Sequence, residues 1–201
     1  MNLSTLHELV GNTDIYLLDQ ILKGRYDQND KILDAGCGNG RNMHWFIQND
    51  FPVFGIDIDP ESIQNLKHTY PQLPLNSLQI CAVENLSFDS NFFDHIISSA
   101  VLHFAKHESH FHSMLTEMVR VLKPGGSLFI RMASAIGIEN RIQQISDGVY
   151  LIPDGTNRFL LTRQLLNGII GGYNFSIIEP VKMVNVDDIR VMSTLLFRKN
   201  S

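Results

Sequence analysis

Cysteine is scarce in this chain, with Cys37 and Cys81 the only two among 201 residues. One pair cannot build the disulfide framework of a small secreted domain, and such usage suits a reducing, cytoplasmic setting. Clusters of basic residues are missing too. Lysine and arginine number 16 against 21 acidic residues, for a net charge of −5. A protein that grips a nucleic-acid backbone needs a basic surface to neutralise phosphates, so no nucleic-acid partner is expected and a small molecule is the expected substrate. No apolar run approaches the roughly 20 residues of a membrane-crossing helix. Met1 to Val10, carrying His7 and Glu8, lacks the basic, apolar, small-residue order of a secretory leader. No repeat, low-complexity tract or dividing linker is visible, and 1–201 reads as a single domain.

What is present is an alternation of short apolar runs and amphipathic stretches. Thr13 to Lys23 places Ile15, Leu18, Ile21 and Leu22 on one helical face. Lys31 to Ala35 predicts a buried strand ending at glycines, followed by a helix over Met43 to Ile47. Pro52 to Ile56 predicts a second strand. Asp59 is a good N-cap and Pro60 a good first helical residue for a helix to about Tyr70. Leu78 to Val83 and Phe93 to Ser99 predict two more strands. A helix over Ser109 to Leu122 should stop at Lys123-Pro-Gly-Gly126, before a fifth strand over Ser127 to Met132. Thr162 can cap a last helix ending at Gly171-Gly172, and strands near 175–184 and 190–198 should close the sheet as a hairpin. This order predicts an α/β, doubly wound sheet, whose ligands bind beyond the carboxyl ends of the strands.

The most informative segment is Leu33-Asp-Ala-Gly-Cys-Gly-Asn-Gly-Arg-Asn42, which joins a strand to a helix. Glycines there permit a tight turn and close approach of backbone to ligand. The Gly-Lys-Ser/Thr ending of a P-loop is absent. A dinucleotide fingerprint starting at Gly36 would need glycine at position 41, where Arg41 stands, which disfavours a nicotinamide-dependent oxidoreductase. Asp57 at the end of the second strand can accept hydrogen bonds from ribose hydroxyls. Asp59 competes for that role but has a simpler explanation as a cap.

Four segments together resemble the class I S-adenosylmethionine-dependent methyltransferase family. Leu33 to Gly40 is similar to its first motif, and Phe54-Gly-Ile-Asp-Ile-Asp-Pro60 to its second-strand motif. Glu84-Asn-Leu-Ser-Phe88 with Asn91 to Ile97 resembles its third- and fourth-strand region, and Arg120 to Leu128 the turn before its fifth strand. The Gly-Asn-Gly-Arg-Asn42 extension looks like the small tellurite-resistance-type members, without implying tellurite as a substrate. The resemblance implies a Rossmann-like, seven-stranded, mostly parallel sheet of order 3-2-1-4-5-7-6 with an antiparallel seventh strand. It implies S-adenosylmethionine as cofactor, held by Asp34, Gly36, Cys37, Gly38, Gly40 and Asn42 of the loop region, by Asp57 at the ribose and Ile58 at the adenine, and by Ser98 near the methionine amino group. Many relatives carry aspartate where Ala82 stands, which leaves the adenine contact to the backbone at Val83 or the side chain of Glu84.

Methyl transfer needs alignment and exclusion of water more than a fixed triad, and a general base only when the nucleophile must lose a proton. His103, just past the fourth strand, is the candidate base or acceptor-positioning group, against a packing role. His103, His107 and His110 are spaced to share a helical face. Without nearby cysteine a solvated face explains them, and no metal is expected. Cys37 has no activating neighbour in sequence and its side chain is read as packing. Arg131, Tyr150, Arg158 and Arg190 are candidates to shape the acceptor pocket, with Arg158 suited to a carboxylate. Residues 133–161 interrupt the regular pattern and are read as a lid. The competing reading is a non-catalytic S-adenosylmethionine-binding regulatory module, which an obstructed acceptor pocket would favour.

Overall fold

A computed structural model describes residues 3–201; Met1 and Asn2, where the leader and domain readings begin, lie outside the described residues. Two short helices, α1 (Leu3–Val10) and α2 (Ile15–Leu22), precede the first strand, β1 (Ile32–Ala35). Then follow α3 (His44–Gln48), β2 (Val53–Asp57), α4 (Pro60–Thr69), β3 (Leu78–Ile80), β4 (Phe93–Ser99), α5 (Glu108–Val121) and β5 (Leu122–Ser134). The rest comprises β6 (Gln143–Ser146), β7 (Val149–Leu151), β8 (Asn157–Phe159), α6 (Arg163–Gly172), β9 (Phe175–Ile177), β10 (Lys182–Val186) and β11 (Arg190–Lys199).

The main sheet has the order β10-β11-β5-β4-β1-β2-β3, with β9 also paired to β11. Strands β1 to β5 run parallel, and β11 lies antiparallel against β5. The fold is therefore the α/β, Rossmann-like, mostly parallel sheet with the expected antiparallel strand. The expected final hairpin differs in detail. Its first arm is split into β9 and β10, which pair with opposite ends of the ten-residue β11. Pro180 falls in the break, where a residue lacking an N–H cannot continue a ladder. Strands β6, β7 and β8 form a separate three-stranded antiparallel sheet.

Both faces of the main sheet are covered, so its central strands are apolar on both sides. Leu33, Ile96 and Leu128 point into one core with Phe111, Leu115 and Met118 of α5. Their neighbours Ile32, Ile97 and Phe129 point into the other, with Phe46 of α3 and Ile63 of α4. Asp59 caps α4 by accepting from Glu61 N–H at 3.2 Å and Ser62 N–H at 3.1 Å, with Pro60 opening the helix. The cap of α5 is His107, whose Nδ1 accepts from His110 N–H at 3.1 Å.

β5 starts earlier than the sequence predicts. Leu122 pairs with Phe93, and the register then jumps to Ser127 opposite His95, so Lys123-Pro-Gly-Gly126 is absorbed as an irregularity within the strand. Gly126 is needed there: a Cβ on it would stand 2.6 Å from the Asp94 carbonyl of β4.

Candidate active site

Two pockets open beyond the carboxyl ends of the parallel strands, and Ala100 lies on the wall of both. Ala100 directly follows β4, at φ +63°, where the chain turns out of the strand. The larger pocket, of about 560 Å³, is lined by Gly36 and Gly38 after β1, Asp57 and Ile58 after β2, and Cys81, Val83 and Glu84 after β3. Val101, Phe104, Lys106, His110 and Met114 close it from the other side. Its size falls within the roughly 300–1,000 Å³ usual for a small-molecule site.

The glycine loop divides its labour. Gly38, at φ +50°, has open space where a Cβ would be and lines the pocket. Gly36, at φ +82°, leaves no room for a Cβ against the Val101 side chain, and Gly40, at φ +73°, would bring a Cβ to 2.5 Å from Leu66 Cδ2 of α4. Gly40 therefore serves helix packing. Asp57 closes the loop from β2: its Oδ2 accepts from Gly38 N–H at 2.8 Å and its Oδ1 from Asp59 N–H at 3.0 Å. Each oxygen keeps capacity for a further donor.

Other loop residues turn away from the pocket wall. Cys37 is buried in the core beside Met43 and Gly55, and burial pushes its thiol well up. Asn42 is buried, and its Oδ1 accepts from Asp14 N–H at 3.0 Å, pinning α2 to the loop. Arg41 extends outward, its Nη2 donating to Ser99 Oγ at 3.1 Å. Asp34 lies beneath the loop, only 1% exposed, with no hydrogen-bond partner for either oxygen among the described residues. Burial raises its pKa to about 8; nearby Arg41 opposes the rise and Asp57 adds to it. Ser98 is wholly buried inside β4 and also stands off the wall, a place taken by Ala100 two residues later.

The segment after β3 is held by α5. Arg120 donates to the carbonyls of Leu86 at 2.9 Å and Phe88 at 2.8 Å, while Glu117 accepts from Leu86 N–H at 3.0 Å. That clamp fixes Val83 and Glu84 on the pocket wall. His110 Nε2 lies 3.1 Å from Glu84 Oε1. The spacing of His103, His107 and His110 suggested one helical face, but His103 belongs to a single 3₁₀ turn, Leu102–Phe104, before α5 starts. Among the described residues no group of three or more His, Cys, Asp or Glu is arranged to hold a metal ion.

The smaller pocket, of about 280 Å³, is lined by His103, Arg131, Asp154, Arg158 and Arg190 together with apolar groups. His103 is buried, and its Nδ1 accepts from Ala133 N–H at 3.2 Å. Burial, with the charges of Arg158, Arg190 and Arg131, lowers its pKa to about 4. The ring is neutral at physiological pH, with its proton on Nε2. Such a ring offers a hydrogen-bond donor and is a poor general base. Tyr150 pairs with Arg158 across β7 and β8 but packs beside Ala133, Ile152 and Leu160 and does not reach the pocket.

The N-terminal segment braces this wall. Asp14 caps α2 through Tyr16 N–H at 3.0 Å, and its Oδ2 accepts from Arg131 Nη1 at 3.0 Å. Sequence reading missed Ala100, Phe104, Lys106 and Asp154, and took His110, which lines the larger pocket, for part of a solvated helix face. Only the signal that ligands gather after strands pointed towards Ala100.

Comparison with known proteins agrees with this geometry. Residues 33–130 match the methyltransferase domain family. An uncharacterized methyltransferase of Bacillus subtilis is 35% identical over 115 residues, covering 56% of this chain and 44% of that protein. The phthiotriol/phenolphthiotriol dimycocerosates methyltransferase of Mycobacterium leprae is 32% identical over 127 residues, covering 58% and 46%. The chain thus spans less than half the length of these curated relatives. The crystal structure of a SAM-dependent methyltransferase from Methanosarcina mazei superposes with a TM-score of 0.74 at 22% identity, covering 90% of this chain and 97% of that one. The likeness to methyltransferases therefore lies in residues 33–130 of the sequence and in the fold as a whole. No helix among the described residues is long and apolar enough to cross a membrane.

Proposed function

We propose that this protein transfers a methyl group from S-adenosylmethionine, bound in the larger pocket, to a small molecule bound in the smaller one. The observation that carries the reading is Ala100: it belongs to both walls, so the two pockets meet where a donor and an acceptor must touch. The larger pocket fits the cofactor on its own residues. Gly38 presents bare backbone, Asp57 keeps acceptor capacity for ribose hydroxyls, Ile58 and Val83 give apolar surface for the adenine, and Glu84 stands at that end in place of the missing aspartate at Ala82. The unpaired, buried Asp34 beneath the loop suits a ligand carrying a positive charge above it.

When bound, S-adenosylmethionine supplies a methyl carbon activated by its sulfonium. The protein's own work is to hold the acceptor in line with that carbon and to keep water out. Neutral His103 orients the acceptor through its Nε2–H; it does not take a proton. Residues 133–161, which contribute Ile152, Asp154 and Arg158 to the smaller pocket, act as the lid of one domain. The acceptor pocket is not filled by side chains, which favours an enzyme over a regulatory binding module. The two free thiols, Cys37 and Cys81, suit a cytoplasmic setting.

Calorimetry with S-adenosylhomocysteine and NAD, run side by side, tests the cofactor. Binding of the first alone is expected; binding of NAD alone would overturn the reading.

A further inference from the structure

We infer that the smaller pocket selects an acceptor bearing a carboxylate, gripped by Arg158 and Arg190. This rests on the methyl-transfer reading and specifies its substrate class.

Three guanidinium groups from β5, β8 and β11 line one cavity of about 280 Å³. Arg131 is already spoken for: its Nη1 lies 3.0 Å from Asp14 Oδ2, on a side chain that is 2% exposed. Arg158 and Arg190 have no carboxylate within ion-pair distance among the described residues. Arg158 is nevertheless held in place. Its Nη1 donates to the Asn157 carbonyl at 2.8 Å, and its guanidinium lies 4.9 Å from the centre of the Phe104 ring. Its remaining donors are free to meet a ligand.

One opposing charge shares the wall. Asp154 accepts from Thr156 N–H at 2.9 Å and from the Thr156 hydroxyl at 2.6 Å, which ties it to its own turn. Two unpaired cations thus face one carboxylate, in a protein whose net charge is −5. A positive pocket on an acidic protein is a focused attraction for anions. Ala133, Ile152 and Met192 supply apolar lining, which excludes water and strengthens a charged hydrogen bond. The planar fork of arginine matches a carboxylate, and the Nε2–H of neutral His103 adds a further donor. Burial first, and then the charges of Arg158, Arg190 and Arg131, keep His103 neutral, so all three guanidinium groups act on one ring in the cavity.

The test uses the full chain saturated with S-adenosylhomocysteine and titrated with acid–amide pairs: benzoate with benzamide, phenylacetate with phenylacetamide, and succinate with succinamide. At least one acid is expected to bind about tenfold or more tighter than its amide, as befits a hydrogen bond to a charged group. In Arg158→Gln/Arg190→Gln that preference should vanish, while S-adenosylhomocysteine affinity and the circular dichroism spectrum stay as in the parent. Arg190→Gln alone, at an exposed position, gives the same comparison if the double variant does not fold. Equal binding of acids and amides, preference for amides, no binding by any acid, or an acid preference that survives the arginine substitutions would overturn the inference. Failure of S-adenosylhomocysteine to bind, seen before any acid is added, would instead overturn the cofactor reading.

Discussion

The backbone N–H of Ala133 donates to His103 Nδ1 across 3.2 Å, joining the 3₁₀ turn after β4 to the end of β5. That one bond decides the tautomer of the ring. It converts the best sequence candidate for a base into a donor, because the nitrogen that could take a proton already faces one.

His103 should therefore leave no inflection near pH 6.5 in a profile of kcat/KM. His103→Ala is expected to lower kcat/KM about tenfold or more, the cost of one hydrogen bond to a charged acceptor. His103→Asn, whose oxygen can still accept from Ala133, should keep the pocket's shape. The sign for stability follows from the lowered pKa of about 4. Between pH 6.5 and 4 the unfolded chain binds the proton that the folded chain refuses, so this contribution is complete above pH 6.5 and is lost as pH falls through 4. Urea titrations across that range, parent against His103→Asn, check it.

Asp57 and Asp59 should separate cleanly. Asp57→Ala is expected to weaken S-adenosylhomocysteine binding by about 1–3 kcal/mol, because it removes a charged acceptor and frees the Gly38 N–H. Asp59→Ala should cost about 1 kcal/mol of stability through the lost cap of α4 and leave affinity nearly intact. Calorimetry and denaturation on both variants decide it. The ribose contact belongs elsewhere if Asp57→Ala binds like the parent.

Asp34 should release a proton when the cofactor binds. With its pKa raised to about 8, it is largely protonated at pH 7. A cationic ligand above the loop would draw that pKa down and expel up to one proton. Binding enthalpies in buffers of different ionisation enthalpy count it, and Asp34→Asn should abolish the difference. In the free protein the raised value has the opposite sign from His103: Asp34's share of stability is present below about pH 4 and lost as pH rises through 8.

Gly40→Ala should destabilise the fold by about 1–3 kcal/mol, since the new methyl meets Leu66 and the residue is held at φ +73°. Gly24→Ala, at φ +65° with nothing within 4 Å, carries only the backbone term and serves as the comparison. Thermal melting of the two should rank Gly40→Ala as the more damaging. Equal losses would show that Leu66 yields freely.

Much of the fold was legible because it follows from local rules. Asp59 with Pro60 marked the start of α4 to the residue, Thr162 marked α6, and the apolar run at Phe93 to Ser99 is β4 as observed. The early start of β5 was hidden because proline and two glycines ordinarily stop an element, and only pairing with β4 shows that the sheet absorbs them. Asn42 looks like a loop ligand in sequence, and Arg41 like a side chain too bulky for a dinucleotide loop. In three dimensions α2 comes to lie against the loop, and both are drawn into contacts with its cap and with Ser99.

The sequence alone determined the strand and helix alternation, the glycine loop, Asp57 after β2 and the family they resemble. These depend on neighbours a few residues apart. The tertiary structure decided the rest: that Ala100 joins two pockets, that His103 is a neutral donor, and that Arg131 answers to Asp14, 117 residues away, while Arg158 and Arg190 have no ion-pair partner among the described residues. Charge partners and tautomers are set by which backbones approach in space, and a linear sequence does not specify that by spacing alone.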